Sequence, residues 1–220
     1  MEIGALVYPN IDQMDFTGPF EVLSRLPGAR IHVVGRDLTP VRDVAGLILT
    51  PTTTLSAAPP LDVLLVPGGR GQLALMEDDQ VLSFLARPVP WVLSVCTGAL
   101  LCGAAGLLRG KRATTHWNSF HLLPYFGATP VDERVVVDGN LMTTAGVSAG
   151  IDGALRLAAL LSGDAVAQRI QLEIQYAPEP PFPPASGAML EAARHAVSAI
   201  TSARLESARR AAARWGIKLT

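Results

Sequence analysis

Two short runs, DVLLV (residues 62–66) and WVLSV (Trp91–Val95), place apolar residues on consecutive positions rather than alternate ones. Successive side chains of a strand point to opposite faces, so strands of this kind must be covered on both sides. Residues 3–8 have the same character, while Arg30–Gly35 alternates polar and apolar. Between them lie amphipathic segments of helical length at 18–26, 72–86 and 97–108. Strands separated by helices predict an α/β chain: a three-layer sandwich around a mostly parallel, flavodoxin-like sheet. The segment RVVVDGNLMTTAG predicts a hairpin turning at Asp138-Gly139. Residues 148–174 read as one long helix, opened by Ser148 and Asp152 and closed by Ala177-Pro178.

The chain divides into an α/β domain (1–176), a semi-rigid proline-rich connector APEPPFPPASG (177–187) and a C-terminal extension (188–220). The extension reads as one helix over 188–215, packed on the domain or on a dimer partner. It carries Arg194, Arg204, Arg209, Arg210 and Arg214. The expectation is a solvated basic face, with Ile200, Leu205 and Trp215 packing inward. A lone helix is a poor DNA reader, and a net charge of −1 gives no global field for nucleic acid or an anionic membrane. No run approaches the ~18 apolar residues of a membrane span. MEIGALVYPNIDQMDF has no basic leader before a long apolar segment. Cys96 and Cys102 lie six apart on one expected helix and point in different directions, which argues against a disulfide. These features predict a soluble cytoplasmic protein.

Cys96 stands where the strand WVLSV meets a Gly- and Ala-rich helix, TGALLCGAAGLL. In a parallel sheet, reactive groups gather at the carboxyl ends of strands. A sharp turn there, with small Gly98 and Ala99 beneath the sulfur, makes a nucleophile elbow. The N–H groups and dipole of the following helix are expected to favour a thiolate. Cys102, among Leu100, Leu101 and Ala104, reads as core. Pro67-Gly68-Gly69 ends a neighbouring strand, so the Gly69 and Thr97 N–H groups form a candidate oxyanion hole. There is no Walker loop.

A nucleophile needs a proton carrier. His32 reads as a strand residue and His195 as a helix-surface residue. His116 and His121 are five apart with no third ligand, which argues against zinc. His116 can approach a strand end, though nothing in the sequence requires it. Asp15 lies in an expected loop after the first strand, at the reactive end of the sheet. It competes with a capping role that Thr17 can fill. Asp12 reads as loop solvation, and Glu21 is the competing carboxylate.

The segments DFTGPFEVL, DVLLVPGG, SVCTGALLCGAAGLLRGKRATTHW and VVDGNLMTTAGVSAGID together resemble the PfpI-like, or class I glutamine amidotransferase-like, superfamily. Within it the chain is most similar to the isonitrile hydratase group. The resemblance implies Cys96 as nucleophile, Asp15 as its acid–base partner, Thr97 and Gly69 beside the developing charge, and a homodimer. It implies cofactor-free addition of water to an isonitrile to give an N-substituted formamide, through a thioimidate on Cys96. An apolar substituent calls for an apolar pocket, for which Phe16, Trp117 and Val147 are the candidates. Amidase-like relatives carry histidine where this chain has Thr97. The same fold is the sensor half of AraC-type regulators, which continue into helix-turn-helix units.

Overall fold

A computed structural model describes residues 1–196 and 198–218, except for the side chains of 194–199. The expectations for Arg194 and His195 therefore lie outside the described residues. In chain order the strands are β1 (Glu2–Leu6), β2 (Arg30–Gly35), β3 (Val41–Arg42), β4 (Ile48–Leu49), β5 (Thr53–Thr54), β6 (Val63–Val66), β7 (Trp91–Val95), β8 (Arg112–Ala113), β9 (Thr129–Pro130), β10 (Val135–Asp138) and β11 (Leu141–Thr144). The helices are α1 (Gln13–Leu23), α2 (Gln72–Leu75), α3 (Asp79–Leu85), α4 (Gly98–Ala104), α5 (Ala149–Ser162), α6 (Asp164–Glu173), α7 (Gly187–Ala196) and α8 (Ser198–Arg214), with a 3-10 helix at Trp117–Phe126.

Seven strands form the central sheet in the order β10-β11-β7-β6-β1-β2-β5. All pairs are parallel except the hairpin β10–β11, where Asp138 stands opposite Leu141. β3–β4 and β8–β9 are small separate ribbons. Helices α1, α5 and α6 pack together, as do α2, α4, α8 and the 3-10 helix, giving a layer on each side of the sheet. Val63, Leu64, Leu65 and Val66 are all fully buried, as unbroken apolar patterning demands. Each such side chain is worth about 1.5–3 kcal/mol in burial.

Three helices differ from expectation, each for a local reason. α1 begins at Gln13 rather than near residue 18, because Asp12 caps it by accepting from Met14 N. Asp12 is thus a cap rather than loop solvation, and Asp15 sits in the first helical turn rather than in a loop. The expected helix over 72–86 is two, since Asp78 starts α3 by accepting from the N–H groups of Gln80 and Val81. The helix over 148–174 is interrupted by Gly163, whose φ of +87° no helix accommodates. No regular element spans 177–186, and α7 and α8 follow it.

α8 lies on the 3-10 helix and on α4. Its last turn is anchored by Trp215, whose indole donates to the Ala104 carbonyl over 3.1 Å and lies under the Arg109 guanidinium. Arg209, Arg210 and Arg214 are exposed, with Arg210 pairing with Glu77 at 2.5 Å, whereas Arg204 departs from the solvated face and is buried.

Candidate active site

The carboxyl ends of β1, β6 and β7 lie side by side, and the segments leaving them carry Asp15, Gly68-Gly69 and Cys96. Cys96 holds φ at +57°, a left-handed backbone that a side chain adopts at a cost of about 1–2 kcal/mol. The fold fixes it from both ends. Cys96 N donates to Ala145 O at 2.9 Å and to Thr144 O at 3.2 Å, while its carbonyl accepts from Thr115 Oγ1 at 2.7 Å. Two residues on, the turn admits only a glycine: a Cβ on Gly98 would lie 2.0 Å from the Val66 carbonyl oxygen.

Asp15 is wholly buried. Its Oδ2 accepts from Gly68 N at 3.0 Å, and its Oδ1 has no regular hydrogen-bond partner. Burial, reinforced by the nearby Asp12 charge, raises its pKa to about 7. The Cys96 thiol and the Gly68 N–H offset part of that rise. A Cβ on Gly68 would come within 2.8 Å of both Thr97 N and Asp15 Oδ2, so that position too is open only to glycine.

Cys96 is buried, and its pKa lies well above the usual thiol value. Desolvation is the largest cause and the Asp15 charge the next; the Thr97 N–H opposes them. The resting group is therefore a thiol. The expected thiolate fails because α4 is short and burial outweighs what its first turn supplies. The two groups behave as one coupled acid pair. A thiolate becomes affordable once its proton has moved to Asp15, since a neutral carboxyl no longer repels it.

Gly69 is placed differently from expectation. Its N–H already donates to Thr97 Oγ1 at 3.1 Å, and Thr97 Oγ1 lies 3.4 Å from the Gly69 carbonyl. It is thus not a free donor in this state, whereas the Thr97 N–H faces the sulfur. Tyr8 supports the same loop from beneath, its hydroxyl donating to Pro67 O at 2.8 Å.

A cavity of about 370 Å3 opens onto Cys96 and Thr97. Val147 lines it. Phe16 and Trp117 do not: Phe16 is buried against Phe20 on α1, and Trp117 lies against His116, with 5.1 Å between ring centroids. The apolar part of the wall is instead Val44, Val147 and Ile200. Polar groups make up the rest, including His116, Asn118 and Arg204. Burial and the neighbouring Arg204 push the His116 pKa down to about 4, so this ring is neutral near pH 7. Its Nδ1 accepts from Asn118 N at 3.3 Å. Arg204 and Ile200 reach the cavity from α8, about a hundred residues after the nucleophile, and no motif around them signals this.

Cys102 is fully buried within α4, its pKa pushed up to about 12 by desolvation. Glu21 makes an exposed pair with Arg25, and His32 contacts Glu2 on β1. Among the described residues no three His, Cys, Asp or Glu side chains cluster as metal ligands, and no helix is long and apolar enough to cross a membrane.

Similarity to known proteins follows the same lines. The chain is 49% identical to an isonitrile hydratase of Pseudomonas putida, over 99% of both proteins. It is 29% identical to the HTH-type transcriptional regulator CdhR of Pseudomonas aeruginosa, over 75% of this chain and 52% of the regulator. The crystal structure of a ThiJ/PfpI family protein from Pseudomonas syringae superposes with a TM-score of 0.90 at 40% identity, covering 94% of this chain and 90% of the other. The DJ-1/PfpI family model matches residues 1–160, which hold every strand, Asp15 and Cys96, and the chain belongs to the DJ-1/PfpI family.

Proposed function

We propose that the protein is an isonitrile hydratase: it adds water to R–N≡C to give R–NH–CHO, with Cys96 as nucleophile and Asp15 as the proton carrier. The observation that carries this reading is the 49% identity to the Pseudomonas putida isonitrile hydratase along essentially the whole of both chains. The chemistry of the site agrees with it. Asp15, titrating near 7, takes the thiol proton and returns it to the isonitrile carbon as sulfur bonds to that carbon, giving the thioimidate R–N=CH–S–Cys96. Water then adds to the same carbon: Asp15 takes one of its protons and passes it to the nitrogen, giving R–NH–CH(OH)–S–Cys96. Collapse expels the sulfur, which receives the hydroxyl proton as the formamide leaves. The Thr97 N–H stabilises charge at the sulfur, and Thr97 Oγ1 holds the Gly69 turn.

The enzyme acts without metal or organic cofactor, as a cytoplasmic homodimer. Incubation with cyclohexyl isocyanide should yield N-cyclohexylformamide, lost in Cys96→Ala. Absence of formamide from this and from smaller isonitriles would remove the reading.

The likeness to CdhR supports a second reading, a ligand-sensing domain. A sensor binds a small molecule without consuming it, and the same incubation separates the two.

A further inference from the structure

Arg204 is a charge without a counter-charge. It is 7% exposed, its Nε has no hydrogen-bond partner, and its Nη1 reaches only Ser119 Oγ, at 3.4 Å. Among the described residues no carboxylate pairs with it. Desolvating a cation costs several kcal/mol unless an anion faces it. The same helix shows what pairing looks like: Arg210 meets Glu77. Arg204 instead lines the cavity of Cys96, with Arg70 on the same wall. Asp12, which caps α1 at Met14 N, is the one carboxylate on the cavity wall among the described residues and offsets one of the two charges. Asp15 Oδ2 faces Gly68 N, and the Cys96 sulfur is a thiol at rest. The ring of His116 is neutral near pH 7. The wall thus presents an excess of positive charge to whatever enters, and only Val44, Val147 and Ile200 are apolar.

We infer that Arg204, assisted by the more exposed Arg70, binds an anionic group carried by the substrate, so that the preferred isonitrile is a short isocyano-carboxylate rather than a hydrocarbon isonitrile. The identity of the reacting end rests on the hydratase reading; the anion site does not. A cavity of about 370 Å3 is at the small end for ligand sites, which favours a short chain between the two ends. A guanidinium–carboxylate contact that replaces an unmet donor contributes about 1.5–3 kcal/mol, or at least about tenfold in affinity.

Alkylation of Cys96 in the full-length protein tests the anion site without relying on turnover. The Cys96 thiolate displaces iodide from iodoacetate and iodoacetamide alike, and the two differ in carboxylate against carboxamide, so the thiolate fraction cancels from the ratio of their rates. Wild-type protein should show saturable alkylation by iodoacetate, with a ratio about tenfold above that of free cysteine. Arg204→Gln should bring the ratio to within about twofold of free cysteine, and Arg204→Lys should keep part of it. Should Arg204→Gln slow both reagents equally, Arg204 serves the thiolate and the inference is wrong. Should Arg204→Gln fail to fold, wild-type protein still decides: butyrate must protect Cys96 from iodoacetamide where butyramide does not, and equal protection overturns the anion site. In turnover, 3-isocyanopropanoate should exceed its methyl ester by about tenfold in kcat/KM; equal values overturn the substrate assignment. If neither isonitrile reacts while the alkylation ratio holds, the hydratase reading fails and the anion site stands.

Discussion

The backbone N–H of Gly69 donates to the hydroxyl of Thr97 over 3.1 Å, so the residue after the nucleophile holds the end of a neighbouring strand in place. A hydroxyl at this position ties together two loops that both approach the sulfur.

Thr97→Val preserves shape and removes the acceptor. It should lower stability by about 1–3 kcal/mol, the cost of leaving a sheltered N–H unmet, and lower kcat with it. Thr97→Ser should retain both. Urea unfolding and steady-state kinetics on the two variants check this, and equal behaviour of valine and serine would show that the hydroxyl is idle.

Cys96→Ala should abolish turnover, whereas Cys102→Ala, deep in α4, should cost only about 1 kcal/mol of stability and leave the chemistry intact. The strained backbone adds a second expectation. Cys96→Gly, free of the penalty at φ +57°, should melt above Cys96→Ala. Calorimetry reads the order directly.

Asp15→Asn keeps the shape but cannot cycle a proton, so kcat should fall by about 10²–10⁴-fold. Its stability profile should shift as well. The native carboxyl titrates near 7 against 3.8 for the unfolded chain, so between those values the native state binds more protons than the unfolded one. Stability relative to Asp15→Asn is then fully retained below pH 3.8 and declines as pH rises through 7, by an amount on the order of 4 kcal/mol. Denaturant titrations of both proteins at pH 5 and pH 8 measure the difference. A parallel pair of curves would place the Asp15 pKa near its ordinary value.

Duplex DNA should not be retained at physiological salt. Of the α8 arginines, Arg204 is buried and Arg210 is held by Glu77, which leaves the exposed Arg209 and Arg214 to meet phosphates, too few for tight binding. A salt-sensitive mobility shift would favour the sensor reading.

How much of this was legible beforehand depended on how local the signal was. Strands β6 and β7 are written in consecutive apolar residues, and Asp138-Gly139 marks its hairpin, so the sheet could be read from short words. The position of Cys96 followed from the same words. Helix limits are not legible where one side chain decides them, as Asp12 and Asp78 do by capping. The thiol state of Cys96 was not legible, because desolvation is set by the whole fold and here exceeds the effect of a seven-residue helix. Nearness along the chain puts Phe16 and Trp117 at the cavity, yet one packs into the core and the other against His116. Arg204 and Ile200 come from a helix whose pattern reads only as basic and amphipathic, and nothing in that pattern says which face meets the nucleophile.

The wall contributed by α8 lies beyond residue 160, where the family match ends. Two residues of the wall, Ile200 and Arg204, are therefore written in a separate stretch of the gene from Asp15 and Cys96. Substitutions in the last helix can change which molecules reach the sulfur while Asp15 and Cys96 are inherited unaltered. Descendants of one ancestral core can thus diversify by revising a short terminal cassette, and a sequence comparison confined to the shared core would group them as one specificity.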